Sequence, residues 1–201
     1  MLDAKFVILA GVIAVASAAG YAFDTLRGRN QPNRVTWAMW TVVPMIAFAA
    51  QIGQGVGLQS VFTFAGGFGP LLVLIATFVN PKAYWRLTSF DLTCGLVSLA
   101  ALVLWAITGK GLVALVLSVV ADFFAAVPTI KKSYRVPVSE SGYPFLFGVV
   151  AALITLLTIK EWTLANSAFG IYVLFTDGLI AGLVLFPAAR PKPLRIRSER
   201  T

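Results

Sequence analysis

Two carboxylic acids stand inside long apolar runs, and they are the residues most capable of chemistry. They are Asp122 in "VVADFFAAVP" and Asp177 in "YVLFTDGLIAG", where Thr176 directly precedes the acid. An ionisable group at mid-depth in a bilayer costs at least ~2.5–3.5 kcal/mol, so such groups usually face the interior of a helix bundle. We predict that Asp122, Asp177 and Thr176 form a site for a polar solute, a cation or a proton. A neutral aspartate that hydrogen-bonds a neighbouring helix as a structural contact is the alternative.

Other reactive side chains are scarce. The chain has no histidine and a single cysteine, Cys94, which lies within an apolar run. This composition excludes histidine-based catalysis, a histidine metal site and an internal disulfide. We therefore expect no enzyme activity, no catalytic residue, no metal and no cofactor.

The composition of the chain indicates a membrane protein. Of its 201 residues, 59% are hydrophobic and only 12% are charged. A helix needs about 20 apolar residues to cross the hydrocarbon core, and seven segments of roughly that kind are present. They are 4–23, 35–52, 61–79, 90–108, 112–130, 143–159 and 168–187. We predict an all-α, polytopic protein with seven transmembrane helices in one membrane domain, 1–201.

The distribution of lysine and arginine predicts the orientation of these helices. Thirteen of the sixteen basic residues fall in the odd-numbered connections and the tail 188–201, and three fall on the other side. Because basic loops stay in the cytoplasm, we predict that the N-terminus is outside and the C-terminus inside. Residues 1–22 also resemble a signal peptide, but the acidic Asp3 and the arginines after this segment favour a retained helix. The charge of +8 is thus explained by topology, and we expect a lipid bilayer and no nucleic acid as partner.

A repeated pattern divides the chain into two halves. "AAGYAFDTLRGRNQPNRVTWAMW" and "FAAVPTIKKSYRVPVSESGYPFLF" each join a small-residue helix end, a basic turn, a proline and an aromatic pair. Matching Pro32 to Pro137 gives an offset of 105 residues. The repeat therefore predicts three helices in 4–79, a linker helix in 80–111 and three helices in 112–187. One linker helix gives both halves the same orientation, as parallel repeats.

This three-plus-one-plus-three plan with basic, proline-containing cytoplasmic turns resembles the PQ-loop superfamily, which includes SWEET sugar transporters and cystinosin-like amino-acid exporters. The resemblance implies a transporter that moves a small polar solute, of the sugar or amino-acid class, by alternating access. We expect it to lie in the plasma membrane. The resemblance leaves proton coupling and a homo-oligomer open. The KDEL receptor belongs to the same group, so a receptor or interaction protein that does not transport is the alternative.

Three prolines within predicted helices have a counterpart in the resemblance. SWEET proteins place a proline tetrad in the first two helices of each half, and Pro44, Pro128 and Pro144 match helices 2, 5 and 6 of that pattern. Since proline removes a backbone hydrogen bond, these residues are predicted hinges. Fixed kinks that serve packing are an equal alternative.

Four further residues are candidates for a gate. Asp24 and Asp91 lie at helix ends near the inner interface, where a gate salt bridge, pairing with adjacent arginines or capping of helix 4 would each account for them. Trp37 and Trp40 lie where an aromatic belt is expected. The other interpretation of these two tryptophans is that they cover a cavity.

Overall fold

The structure, a computed structural model, describes residues 2–83, 85–108 and 111–187. Within these ranges it consists of seven α-helices with short connections. They are α1 Phe6–Leu26, α2 Arg34–Gly53, α3 Gln59–Val79, α4 Ser89–Thr108, α5 Gly111–Arg135, α6 Tyr143–Leu157 and α7 Leu164–Leu185. A short 3₁₀ helix, Pro137–Ser139, lies between α5 and α6. The basic tail 188–201 lies outside the described residues.

Each predicted apolar segment lies on one of these helices, which confirms the all-α prediction. The ends differ by a few residues, and the largest difference is at α5, which continues from the predicted end at 130 to Arg135. The added turn contains Lys131, Lys132 and Arg135. Lysine and arginine are good helix formers, and their charges are favourable at a helix C-terminus. The basic residues therefore extend the helix beyond the apolar segment.

Four of the described helices, α1, α2, α3 and α7, are long and apolar enough to cross a membrane. Large apolar side chains such as Leu96, Ile107 and Phe175 are exposed on the outer faces of α4 and α7. Lipid is the environment in which such faces are stable. These helices indicate a membrane protein. Helix α6 has only 15 residues, fewer than the roughly 20 of a full span.

Side-chain caps fix where two helices begin. The Asn33 side chain accepts hydrogen bonds from the backbone N–H groups of Val35 and Thr36, which starts α2 one turn before Trp37. The Thr163 side chain accepts from the N–H of Asn166 at the start of α7. Capping of this kind satisfies backbone donors that have no partner within the helix.

The helices pack in a regular pattern. Helix α3 packs against both α1 and α2, and α7 packs against both α5 and α6. The two sets meet where α1 packs on α6 and α2 packs on α5, while α4 lies against α5 and α2. Two apolar clusters stack along this interface, one around Tyr21, Trp37 and Phe145 and the other around Phe62 and Phe169.

Candidate functional site

A cavity of about 110 Å³ lies between two sets of helices, α1–α3 on one side and α5–α7 on the other. All six of these helices contribute to its lining, whereas none of the described residues of α4 does. Most of its surface is apolar. The side chains with polar atoms in its lining are Ser17, Trp37, Trp40, Asp122, Tyr172, Thr176 and Asp177. The predicted site residues Asp122, Thr176 and Asp177 thus line one cavity, although 55 positions separate the two acids in the sequence.

Helix α7 presents one face to the cavity. Phe169, Tyr172, Val173, Thr176 and Asp177 all line it, and their spacing of three and four residues is that of one helical face. Sequence reasoning identified Thr176 and Asp177 but missed Tyr172. The signal for Tyr172 was its position four residues before Thr176 on the same face.

The Asp122 carboxyl is buried with an incomplete set of hydrogen bonds. Asp122 is 4% exposed, and its Oδ1 atom has no hydrogen-bond partner among the described residues. The Tyr172 hydroxyl interacts with this carboxyl and with Thr176, although the geometry of neither contact is that of a full hydrogen bond. Buried polar atoms are nearly always paired with protein or water, so Asp122 Oδ1 is available to a bound molecule.

The Asp177 carboxyl packs directly against the backbone of α6 at Gly148. A Cβ atom at position 148 would overlap Asp177 Oδ2, so only glycine leaves room for the acid in this position. Asp177 also lies within electrostatic range of Asp122. The close approach of two helices at Gly148 is therefore what brings the second acid to the cavity.

Replacing Gly148 with alanine is expected to destabilise the protein by about 1–3 kcal/mol, because the new methyl group must displace the Asp177 carboxyl or α6. The free energy of unfolding in detergent measures the effect. In an Asp177→Ala background the same change is expected to cost little. The matched control is Gly182→Ala on α7, where an added Cβ meets no atom within 4 Å. Equal stability of Gly148→Ala and wild type would contradict the packing described here.

Trp37 and Trp40 are buried in the interior of the bundle, at 4% and 7% exposure. The Trp37 ring lies 4.7 Å from the Tyr21 ring and 5.3 Å from the Trp40 ring, measured between centroids. Both tryptophans line the cavity together with Phe145. The prediction of an aromatic belt at the lipid interface is therefore wrong for this pair, because both side chains lie on the side of α2 that faces α1 and α6.

The three predicted hinge prolines occupy different settings. Pro44 lies inside α2 and lines the cavity, and Pro128 lies inside α5 away from it. Pro144 also lines the cavity but is in the first turn of α6. A proline in the first turn removes no intrahelical hydrogen bond, so Pro144 does not weaken α6 in the predicted way. Hinge motion at Pro44 and Pro128 stays a prediction.

A buried ion pair lies beyond the aromatic cluster at one end of the cavity. Lys132 Nζ pairs with Glu140 Oε1 and donates a hydrogen bond to the backbone carbonyl of Gln31. The Tyr21 hydroxyl donates to Glu140 Oε2. These residues come from α1, the α1–α2 connection, α5 and the α5–α6 connection, so one network ties four segments together.

Sequence reasoning placed Lys132 among the basic residues that set topology, but the structure buries its side chain almost completely. Lys132 follows the predicted span 112–130. Burial lowers the pKa of the Lys132 ammonium, and the charge of Glu140 opposes this effect. The role of the residue therefore depends on its partner rather than on contact with water.

The predicted gate residues Asp24 and Asp91 have local partners. Asp24 pairs with Arg29 at 3.1 Å, and both side chains are partly exposed. Asp91 Oδ2 accepts hydrogen bonds from the Thr88 N–H at 2.7 Å and from the Thr88 hydroxyl at 2.9 Å. The second arrangement is a cap at the start of α4, which was one of the predicted alternatives.

Comparisons of the chain with protein-family models, with curated protein sequences and with solved structures found no match.

Proposed function

We propose that this protein is a membrane transporter that moves a small polar organic solute by alternating access between two three-helix repeats. The observation that carries the proposal is the cavity between the two helix sets, lined by two acids and by polar atoms that lack partners. Buried polar groups without partners are costly. A bound polar solute would satisfy them.

The packing of the helices supports the repeat. Exchanging α1, α2 and α3 for α5, α6 and α7 maps the main contacts onto one another: α1–α3 onto α5–α7, α2–α3 onto α6–α7, and α1–α6 onto α5–α2. Helix α4 lies outside this exchange, as a linker would. This is the arrangement that the resemblance to the PQ-loop superfamily implies, and sites between repeats are typical of transporters.

The contacts between the repeats at the two ends of the cavity support alternating access. At one end, Lys132 and Glu140 of the second half bind Gln31 and Tyr21 of the first. At the other end, Phe62 and Phe169 approach to 5.9 Å between ring centroids. A solute would pass if each set of contacts opened in turn while the helices within each repeat stayed packed.

The proposed orientation, with the N-terminus outside, predicts the accessibility of two connections. In a Cys94→Ser background, a cysteine at Glu161 in the α6–α7 connection is expected to react with a membrane-impermeant maleimide in intact cells. A cysteine at Val138, which is 86% exposed in the α5–α6 connection, is expected to react only after permeabilisation. The reverse pattern would invert the orientation, and labelling of both from one side would show that α6 does not cross.

Transport is tested with purified protein in liposomes and a panel of labelled small cationic, zwitterionic and neutral solutes. We expect saturable uptake of at least one solute that accelerates when the vesicles contain the same solute, because alternating access exchanges substrates. Protein-free vesicles provide the baseline. Saturable binding without uptake or exchange would overturn transport and favour the receptor alternative.

A further inference from the structure

The charge of the cavity restricts what it can bind. Asp122 and Asp177 contribute two carboxyls from different helices, and no lysine or arginine is among the described residues that line it. The buried Lys132 beyond one end of the cavity is already paired with Glu140. Buried carboxyls without a basic partner either hold protons or face a bound cation. An anion, or the carboxylate of a zwitterion, would meet repulsion and no basic partner.

The atoms that lack partners point to a ligand that donates hydrogen bonds. Asp122 Oδ1 accepts hydrogen bonds when the acid is ionised, and the Tyr172 hydroxyl accepts as well as donates. Aromatic rings of Trp40, Phe145 and Phe169 line the same space. A cation over the face of such a ring is attracted by its quadrupole, and the attraction increases when water is excluded.

The size of the cavity favours a compact ligand. Its volume is about 110 Å³, and on the same measure a space of about 10–15 Å³ holds one water molecule. The space therefore holds several water molecules or a small organic ligand in their place.

We propose that the cavity selects a compact organic cation with N–H donors, of the guanidinium or ammonium type, which the carboxyls of Asp122 and Asp177 bind. Guanidinium is planar, permanently charged and has four non-hydrogen atoms, and its N–H groups suit carboxylate oxygens. The inference that this cation is transported rests on the proposed function, whereas the inference that it binds does not.

The experiment compares guanidinium with urea, which has the same planar shape and number of non-hydrogen atoms but no charge. Uptake of radiolabelled guanidinium into proteoliposomes and its binding to the purified protein are both measured at low millimolar concentration. We expect saturable guanidinium uptake that methylammonium inhibits, while a hundredfold excess of urea or glycine has no effect. Asp122→Asn is expected to weaken binding at least tenfold. Asp24→Asn, at a partly exposed acid that pairs with Arg29, is the control and is expected to bind normally.

The outcomes separate this inference from the proposed function. Preferential uptake of urea or glycine would overturn the cation class and leave transport standing. Saturable guanidinium binding that Asp122→Asn removes, without uptake, would support the cation site and overturn transport. Absence of guanidinium binding by a protein that unfolds cooperatively on heating would overturn the cation site, as would equal binding by Asp122→Asn.

Discussion

Solute uptake is expected to fall by roughly 10- to 150-fold when Asp122 is replaced by asparagine, because a hydrogen bond to a charged group contributes about 1.5–3 kcal/mol. Asparagine keeps the shape of the acid but cannot carry its charge. Asp177→Asn is expected to have a similar effect, since the second acid lines the same cavity and lies within electrostatic range of the first. Initial rates of uptake into proteoliposomes measure both variants.

The same variants separate a binding site from a structural contact. If the acids serve only as neutral hydrogen-bonding groups between helices, asparagine replaces a protonated carboxyl at little cost to uptake. If they bind solute, uptake falls while the free energy of unfolding stays within about 1 kcal/mol of wild type or rises, because an unpaired buried acid has been removed. Uptake at the wild-type rate in both variants would contradict the proposed site.

The helices and the two acids were predictable because their signals are local. Seven apolar segments indicated seven helices, and a membrane makes an ionisable group within such a segment conspicuous without any knowledge of packing. The spacing of Phe169, Tyr172 and Thr176 also indicates that these residues share one face of a helix. Asp177, by contrast, reaches the cavity only because α6 has glycine at position 148. A contact between two helices of this kind has no sign in the sequence of either one.

The burial of Trp37, Trp40 and Lys132 was not predictable for a related reason. Position along the chain placed all three near a helix end, where aromatic belts and basic residues are common. Which face of a helix end meets lipid, water or another helix depends on tertiary packing. Glu140 is the partner that makes burial of Lys132 tolerable, and it lies eight residues later, after a 3₁₀ turn that brings it back to α5. Neither residue alone distinguishes a buried pair from two surface charges.

The pair formed by Lys132 and Glu140 is expected to have the largest single effect on stability. Replacing Lys132 with methionine leaves the Glu140 carboxylate buried without a cation, and removing one partner of a buried ion pair costs about 3–5 kcal/mol. Glu140→Gln leaves the ammonium of Lys132 buried without an anion in the same way, although glutamine still accepts the hydrogen bond from Tyr21. The free energy of unfolding in detergent measures these changes.

The double variant Lys132→Met/Glu140→Met is expected to recover most of that loss, because an apolar pair of similar volume replaces the ion pair without a charge left alone. The control is Arg135→Met, which removes an exposed basic residue one turn later on α5 and is expected to change stability by less than about 0.5 kcal/mol. If Lys132→Met or Glu140→Gln were as stable as Arg135→Met, the ion pair would contribute little to the free energy of unfolding.

The recovered double variant also tests whether this network closes the cavity. It lacks the ionic contacts that join the second half to Tyr21 and Gln31, so we expect that end to open more often. A cysteine in place of Ser17, which lines the cavity, is expected to react faster with a maleimide in the double variant than with the ion pair intact. Both measurements use a Cys94→Ser background. Restored stability with an unchanged reaction rate would mean that Lys132 and Glu140 hold the fold together but do not control access, because a gate must change exposure when its contacts are removed.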